Sequence, residues 1–400
     1  MSESPSKTAR GRGWPRSRRR IPLAWRQLAA EKRRLLAALA GIAFAAMLML
    51  MQLGFRDALI ASATLIHNRL NADLVLISPQ YEYLIATRSF PETRLQQALA
   101  FPEVESVAPL YISLSSWRNP GTGQEHKIIL IGIAPDSSPL RIPAITTHMA
   151  DIRMPDAVLA DANARPELGA IGRWFAEKGP FQTEVNRRRI TVVGLFELGT
   201  SFGVNGTVVT SDLNFLRMLP LRRPHMIDVG LVTLRPGSDP ERARAALAAA
   251  LPKDVRVLTR ERFAEAERAY WLRNSPVGFI FNMGTFIGLI VGAVIVYQIL
   301  YSDVADHLAE YATLKAVGYR DPQLFRIVLG EALILSVLGY IPGYLVAQAL
   351  FVITYRATLL PMHMTVARVA VVFLLTVAMC AGAGALSMRK LRAADPADVF

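Results

Sequence analysis

The sequence predicts an α-helical membrane protein with four transmembrane helices and a mixed α/β extracytoplasmic domain inserted between the first and the second. Three observations carry that reading. Four long stretches hold no charged residue, the 219 residues at 56–274 hold 23 of the 32 acidic side chains, and basic residues crowd both ends of the chain.

With 52% hydrophobic and 19% charged residues among 400, the composition excludes a disordered chain and points to membrane spans interleaved with folded segments. Residues 1–34 hold 11 Lys or Arg against Glu3 and Glu31, whereas 56–274 hold 26 basic side chains against 23 acidic ones. The net charge of +13 is thus largely a property of one end, which removes most support for a nucleic-acid partner. The single cysteine, Cys380, excludes an intrachain disulfide and a Cys-based metal site.

The uncharged stretches are Leu35–Phe55, Asn274–Ser302, Ala332–Tyr355 and Val369–Met388, and spans are placed at 35–55, 275–302, 327–355 and 369–388. A helix needs about 20 apolar residues to cross a bilayer. The first stretch, 21 residues long, exceeds the apolar core of a secretory signal and reads as a retained span. Arg16, Arg18–Arg20, Arg26 and Lys32–Arg34 precede the first span, and Arg389, Lys390 and Arg392 follow the last. By the positive-inside rule both termini are expected in the cytoplasm, with 303–326 inside and 56–274 and the short loop 356–368 outside.

Residues 1–20, rich in Arg, Ser, Gly and Pro, read as a disordered basic tail. Residues 21–34 read as an interfacial elbow helix, with Leu23, Trp25 and Leu28 suited to the lipid boundary. In the outside domain, short apolar runs bounded by turn residues predict strands at 72–78, 126–134, 188–198, 206–210 and 227–234. Helices are predicted at 91–100, with Pro91 in the first turn, and at 239–251, with Asp239 as cap and Pro240 at the first helical position. Residues 136–186, rich in Pro and Gly, are expected to form an irregular insertion. The pattern from Thr259 to Ser302 predicts a charged stalk helix, 259–274, running directly into the second span, with Pro276 its only strong breaker.

None of the four stretches contains an ionisable side chain other than Cys380 and tyrosines, which disfavours a proton-driven transporter. Gly284, Gly288 and Gly292 recur every four residues and allow close helix approach, either within one subunit or at a seam between two. Glu331, one turn into the cytoplasmic end of the third span, is expected at the interface, paired with Arg326 or the loop. Gly199-Thr200-Ser201-Phe202-Gly203 fits the G-x-S-x-G nucleophile elbow, but Val204–Val209 reads as a turn and a strand where an elbow needs a helix; a Gly-rich hairpin loop is expected instead. The six histidines lack metal-ligand spacing, and no G-x-x-x-x-G-K-[ST] occurs, so any ATP bound through a P-loop belongs to another polypeptide. In 303–326, the apolar spacing of Leu308, Tyr311, Ala312 and Leu314, ended by Gly318, predicts a short docking helix.

PLAWRQL (22–28), ALAGIAFAAMLMLMQLGFRDAL (38–59), LGTSFGVNGTVVTSDLNFLRML (198–219), SPVGFIFNMGTFIGLIVG (275–292), YATLKAVGY (311–319) and KLRAADPADVF (390–400) resemble the permease subunits of the MacB, lipoprotein-releasing and FtsX-like group of ABC systems, and within it the DevC-type permease. The resemblance implies a homodimeric permease of the bacterial inner membrane, working with a separate ABC ATPase that binds ATP and Mg, a periplasmic adaptor of the membrane-fusion kind and an outer-membrane channel. It implies no cofactor and no catalytic residue in this chain, whose remaining contacts are membrane lipids. By position it assigns Glu310, Thr313, Leu314, Lys315, Ala316, Val317 and Gly318 to the helix that couples to the ATPase, and Glu265 to Trp271 to a stalk that transmits motion. An FtsX-like signal transmitter and a lipoprotein-releasing permease are the alternatives within the group; a membrane-tethered hydrolase would need Ser201 and a partner His.

Overall fold

A computed structural model describes residues 32–307, 309, 313, 317 and 321–393. The basic tail, most of the expected elbow helix and the last seven residues lie outside them; Lys32–Arg34 belong to the first long helix. The elements are α1 (Lys32–Ala63), α2 (Leu65–Arg69), β1 (Leu74–Ile77), β2 (Phe90–Pro91), α3 (Thr93–Leu99), β3 (Val104–Arg118), β4 (Glu125–Ile133), α4 (Pro143–Thr147), β5 (Ala157–Asp161), α5 (Ile171–Lys178), β6 (Phe181–Val185), β7 (Arg188–Phe196), β8 (Thr207–Ser211), α6 (Asp212–Met218), β9 (Met226–Ile227), β10 (Val229–Leu234), α7 (Pro240–Ala250), β11 (Arg256–Thr259), α8 (Arg260–Ala269), α9 (Pro276–Asp306), α10 (Asp321–Thr358) and α11 (Val366–Ala393). Four of them, α1, α9, α10 and α11, are long and apolar enough to cross a membrane, and the α/β domain lies between the first and second, as the sequence predicts.

The chain divides into two compact units. One holds residues up to 46, 289–343 and 373 onward; the other holds 47–288 and 344–372. The first is helical, with a core of Ile42, Val296, Leu300, Leu335 and Cys380. The second contains a nine-stranded mixed sheet in the order β11-β1-β10-β3-β4-β8-β5-β7-β6. The end of β3 also pairs with β6, Trp117 opposite Val185, so six strands close a circuit.

Both faces of this sheet are covered. Leu74, Leu76, Ile128 and Leu130 pack with Leu95, Phe215 and Leu247 from α3, α6 and α7, while Val75, Ile77, Ile129 and Ile131 pack with Ile66, Ile145 and Phe263 from α2, α4 and α8. Burial on both faces explains why β1 and β4 read as near-continuous apolar runs rather than clean alternation.

Five corrections follow. The 136–186 segment is not an irregular insertion, because β5 and β6 are integral strands of the main sheet. β3, the longest strand, carries four serines and Pro109, which hid it. Pro109 is tolerated because β3 there pairs with β10, while pairing with β4 begins only at Leu110. The 197–206 loop is not a hairpin, since β5 lies between β7 and β8. Pro91 sits in β2 rather than in the helix, and Glu92 is the residue before the first turn.

The stalk helix, finally, does not run unbroken into the second span. α8 ends at Ala269, Tyr270–Asn274 form one wide π-type turn, and Ser275 is extended at φ −91° and ψ 137° before α9 begins. Proline disfavours helical geometry in the preceding residue and brings no N–H of its own, so Pro276 restarts the helix rather than continuing it. Ser275 caps the restart by accepting from the Val277 N–H at 3.2 Å. At 239–251 the expectation holds: Asp239 accepts from the N–H groups of Glu241 and Arg242, and Pro240 opens α7.

Candidate functional site

Among the residues assigned to ATPase coupling, Glu310, Leu314, Lys315, Ala316 and Gly318 lie outside the described residues. Thr313 is exposed, its hydroxyl donating to the Ala309 carbonyl at 2.8 Å, and Val317 is 74% exposed, its N–H donating to the Thr313 carbonyl. The three glycines of the second span face helices of the same chain. A methyl added at Gly284 would lie 2.5 Å from Gln52 Cδ, at Gly288 3.3 Å from Leu48 Cδ2, and at Gly292 2.4 Å from Met379 Sδ and 2.6 Å from Ala45 Cβ. At Gly284 and Gly292 a side chain would force its neighbours to shift, and at Gly288 the fit is tight, so all three glycines pack against helices of their own chain.

At the stalk, Glu265 is exposed and has no ion-pair partner among the described residues. Trp271 instead points to a residue the sequence did not single out. Glu267 is 2% exposed, and one of its carboxyl oxygens accepts from Trp271 Nε1 at 2.9 Å. The other accepts from the Tyr81 hydroxyl at 2.6 Å and from the Leu84 N–H at 3.0 Å. His67 completes the cluster, with Nε2 at 3.2 Å from the Tyr81 oxygen and its ring packed on Phe263 at 4.4 Å between centroids.

The electrostatics follow from burial. His67 is pushed down to about 3 by desolvation, with the Ala63 carbonyl opposing and Arg268 adding to the fall. Glu267 is pushed up by desolvation, while its hydrogen-bond donors hold it back. Neutral His67 therefore sits beside the Tyr81–Glu267 bond. Three chain segments meet here: α2 beyond the first span, the loop after β1, and α8 leading to the second span. Tyr83 stacks on Tyr270 at 4.7 Å, extending the contact into the π-type turn. No motif announces the cluster; the only sequence signal is a Trp four residues after a Glu on one helical face.

A second set of contacts ties the domain to the segment joining the third and fourth spans. Asp161, fully buried at the end of β5, accepts from the N–H groups of Asn163, Leu198 and Gly199 at 3.0, 3.1 and 2.8 Å. It thereby shapes the start of the Gly199–Gly203 loop. Burial raises the Asp161 carboxyl, and those three N–H groups oppose the rise. The next residue, Thr200, donates to the Leu359 carbonyl at 3.2 Å, and Leu359 ends α10 in the left-handed region at φ 55°. Nearby, Arg368 donates to Asp57 at 2.7 and 3.2 Å and to the His363 carbonyl at 2.8 Å. Among the described residues Ser201 has no hydrogen-bonded His, and β8 rather than a helix follows its loop, so the geometry of a nucleophile elbow is missing. Among the described residues no three His, Cys, Asp or Glu side chains gather as a metal site.

In the helical unit, Arg34 bonds Asp306 at 2.5 Å and lies 3.9 Å from Asp303, tying the start of α1 to the end of α9. Glu331 corrects an expectation. It is fully buried, and neither carboxyl oxygen has a hydrogen-bond partner among the described residues, while Arg326 is exposed, so the expected pairing with Arg326 is not formed.

Residues 35–250 match the family described as MacB-like periplasmic core domain, and residues 282–396 match the family described as FtsX-like permease C-terminal. Among solved structures, the periplasmic region of MacB from Actinobacillus actinomycetemcomitans is similar at 12% identity, over 50% of this chain and 94% of that one, with a TM-score of 0.36. The extracellular domain of the noncanonic ABC-type transporter YknZ from Gram-positive bacteria is similar at 15% identity, over 47% of this chain and all of that one, with a TM-score of 0.34. No curated protein matches. The two family matches follow one another along the chain, the first alone covering more than half of it, and the chain belongs to the MacB/FtsX permease family.

Proposed function

We propose that this chain is the permease subunit of an ABC-type exporter, in which ATP and Mg bound by a separate ATPase drive movement of the periplasmic domain rather than passage of substrate through the spans. The observation that carries the reading is the Glu267 cluster. It joins the extension of the first span, the sheet and the segment entering the second span through one buried carboxyl. Tilting either span would pull on that carboxyl, while the break at Ser275 lets the second span change angle beneath it.

In this reading both termini are cytoplasmic and the 303–326 segment meets the ATPase through Glu310 to Gly318. Two permease copies pair, and the domain engages an adaptor and an outer-membrane channel, as in the DevC-type systems the sequence resembles. Recovery of the tagged chain from detergent, wild type beside Leu314→Asp, with identification of co-purifying proteins and an ATPase assay, tests it. A P-loop ATPase recovered with the wild type and lost with the variant supports the reading; no ATPase with either overturns it.

A further inference from the structure

We propose that Glu331 is a proton-binding site inside the helical unit, and that its proton occupancy governs how α9 and α10 pack on either side of the 303–326 segment. Glu331 is 0% exposed, and neither of its carboxyl oxygens has a hydrogen-bond partner among the described residues. Leu324, Val328 and Leu335, at helical spacing before and after it, are equally buried, so the carboxyl lies on the packed stripe of α10. Three helices meet there. A methyl added at Gly384 of α11 would lie 3.3 Å from Ala332 Cβ and 3.8 Å from Val328 Cγ1 on α10, and 3.6 Å from Leu300 Cδ1 on α9.

The charged groups around it leave it no counter-ion among the described residues. On α1, Arg34 bonds Asp306 at 2.5 Å and lies 3.9 Å from Asp303; on α9, His307 Nδ1 lies 3.7 Å from the same Asp303 carboxylate. Both side chains are thus turned to the aspartates of α9. On α10 itself Arg326 is exposed, and the α11 stretch Val369–Met388 holds no ionisable side chain except the buried Cys380. Ser387, the buried hydroxyl one turn from Gly384, donates to the Gly384 carbonyl at 2.9 Å, so its proton is already committed. Asp303, an acid like Glu331 itself, is the ionisable group that acts on it electrostatically.

A carboxylate with neither donors nor a cation is unfavourable in a packed apolar interior, and a second acid beside it adds to the penalty. A metal ion does not resolve this, since no three His, Cys, Asp or Glu side chains gather among the described residues. A proton does, because it needs no space beyond the carboxyl itself. With the proton bound, Glu331 packs as a neutral side chain where α9, α10 and α11 meet. With it released, the charge draws in water, and repulsion from Asp303 separates α9 from α10. Asp303 lies at the end of α9 and Glu331 near the start of α10, so the helix pair that opens is the one bracketing the 303–326 segment. Beyond Glu331 the third stretch, Ala332–Tyr355, holds no ionisable side chain except tyrosines, which makes the site a switch rather than a route across the membrane.

The proton site stands by itself; its bearing on an ATPase rests on the exporter reading. The test treats the full chain in nanodiscs with dicyclohexylcarbodiimide, an apolar reagent whose C=N bond takes up a protonated carboxyl, the acid oxygen bonding to carbon and the proton passing to nitrogen, and adducts are mapped by mass spectrometry. Glu331 is expected to be modified, at a rate that falls roughly tenfold per pH unit on the alkaline limb. A charged, water-soluble carbodiimide is expected to spare it while modifying exposed acids such as Glu265. Thermal melts between pH 6 and pH 9 read the packing. The folded chain holds a proton that the unfolded chain has released, so the wild type should lose stability as pH rises, relative to Glu331→Gln, a neutral side chain of the same shape. No adduct at Glu331, a modification rate indifferent to pH, or a Glu331→Gln melt with the pH dependence of the wild type would overturn the proposal. The labelling needs no variant, so it decides even where Glu331→Gln does not fold. ATPase recovery is scored separately on the same preparations, which keeps failure of the proton site distinguishable from failure of the exporter reading.

Discussion

Replacing Glu267 by Ala removes the acceptor of three hydrogen bonds at a site 2% exposed: from Tyr81 at 2.6 Å, Leu84 at 3.0 Å and Trp271 at 2.9 Å. A buried donor left without a partner costs about 1–3 kcal/mol. The three donors share one carboxyl, so the losses do not add, and a local destabilisation of about 3 kcal/mol is expected, roughly a hundredfold in an opening equilibrium. Hydrogen exchange on the full chain in detergent reads this directly. Peptides covering 78–86 and 260–275 should exchange roughly a hundredfold faster, while those from β4 and β8 in the centre of the sheet stay near wild type. Glu267→Gln, which keeps an acceptor but places an amide donor against other donors, should fall between. Exchange within about threefold of wild type at both segments, or acceleration spread evenly over the sheet, would refute the claim that this carboxyl holds the stalk to the domain.

Acidification should also loosen this cluster. Burial holds His67 down at about 3, so between there and the unfolded value of about 6.5 the unfolded chain carries the proton and the folded one does not, and stability falls as pH drops, by up to about 1.4 kcal/mol per pH unit. Glu267, pushed up by burial, acts in the opposite sense, its contribution present at low pH and lost as pH rises through its raised value; the denaturation midpoint of His67→Phe should consequently decline less than wild type between pH 7 and pH 5. Gly292→Val would force a side chain into the 2.4 Å gap to Met379 and should lower the melting temperature in detergent, corresponding to about 1–3 kcal/mol, whereas Gly382→Ala, with nothing within 4 Å, should leave it unchanged. Asp161→Ala leaves three backbone N–H groups without their acceptor and should raise proteolytic nicking at 198–203, with the Thr200 contact to Leu359 lost; an unaltered cleavage pattern would count against the anchoring role.

Sequence alone determined the membrane architecture, because a span is a one-dimensional object: an uncharged run long enough to cross hydrocarbon is the same whatever packs beside it. It also determined the local features whose causes lie within a few residues, such as the Asp239–Pro240 start of α7 and the five strands marked by apolar runs. The tertiary structure decided the rest. β3 became legible only through its partners β10 and β4, which supply the hydrogen bonds that its serines and Pro109 do not advertise. The stalk turned out to be broken, because the conformational restriction on the residue before Pro276 outweighed a continuous helical pattern. Glu331 was expected to pair with Arg326, yet helix packing buries it and leaves both carboxyl oxygens without a hydrogen-bond partner among the described residues. The Glu267 cluster depended most on the fold: His67, Tyr81 and Glu267 come from distant segments, and each alone reads as an ordinary residue. Hydrogen-bond partners separated by nearly two hundred residues leave no periodicity in a sequence, because only the folded chain brings them within 3 Å.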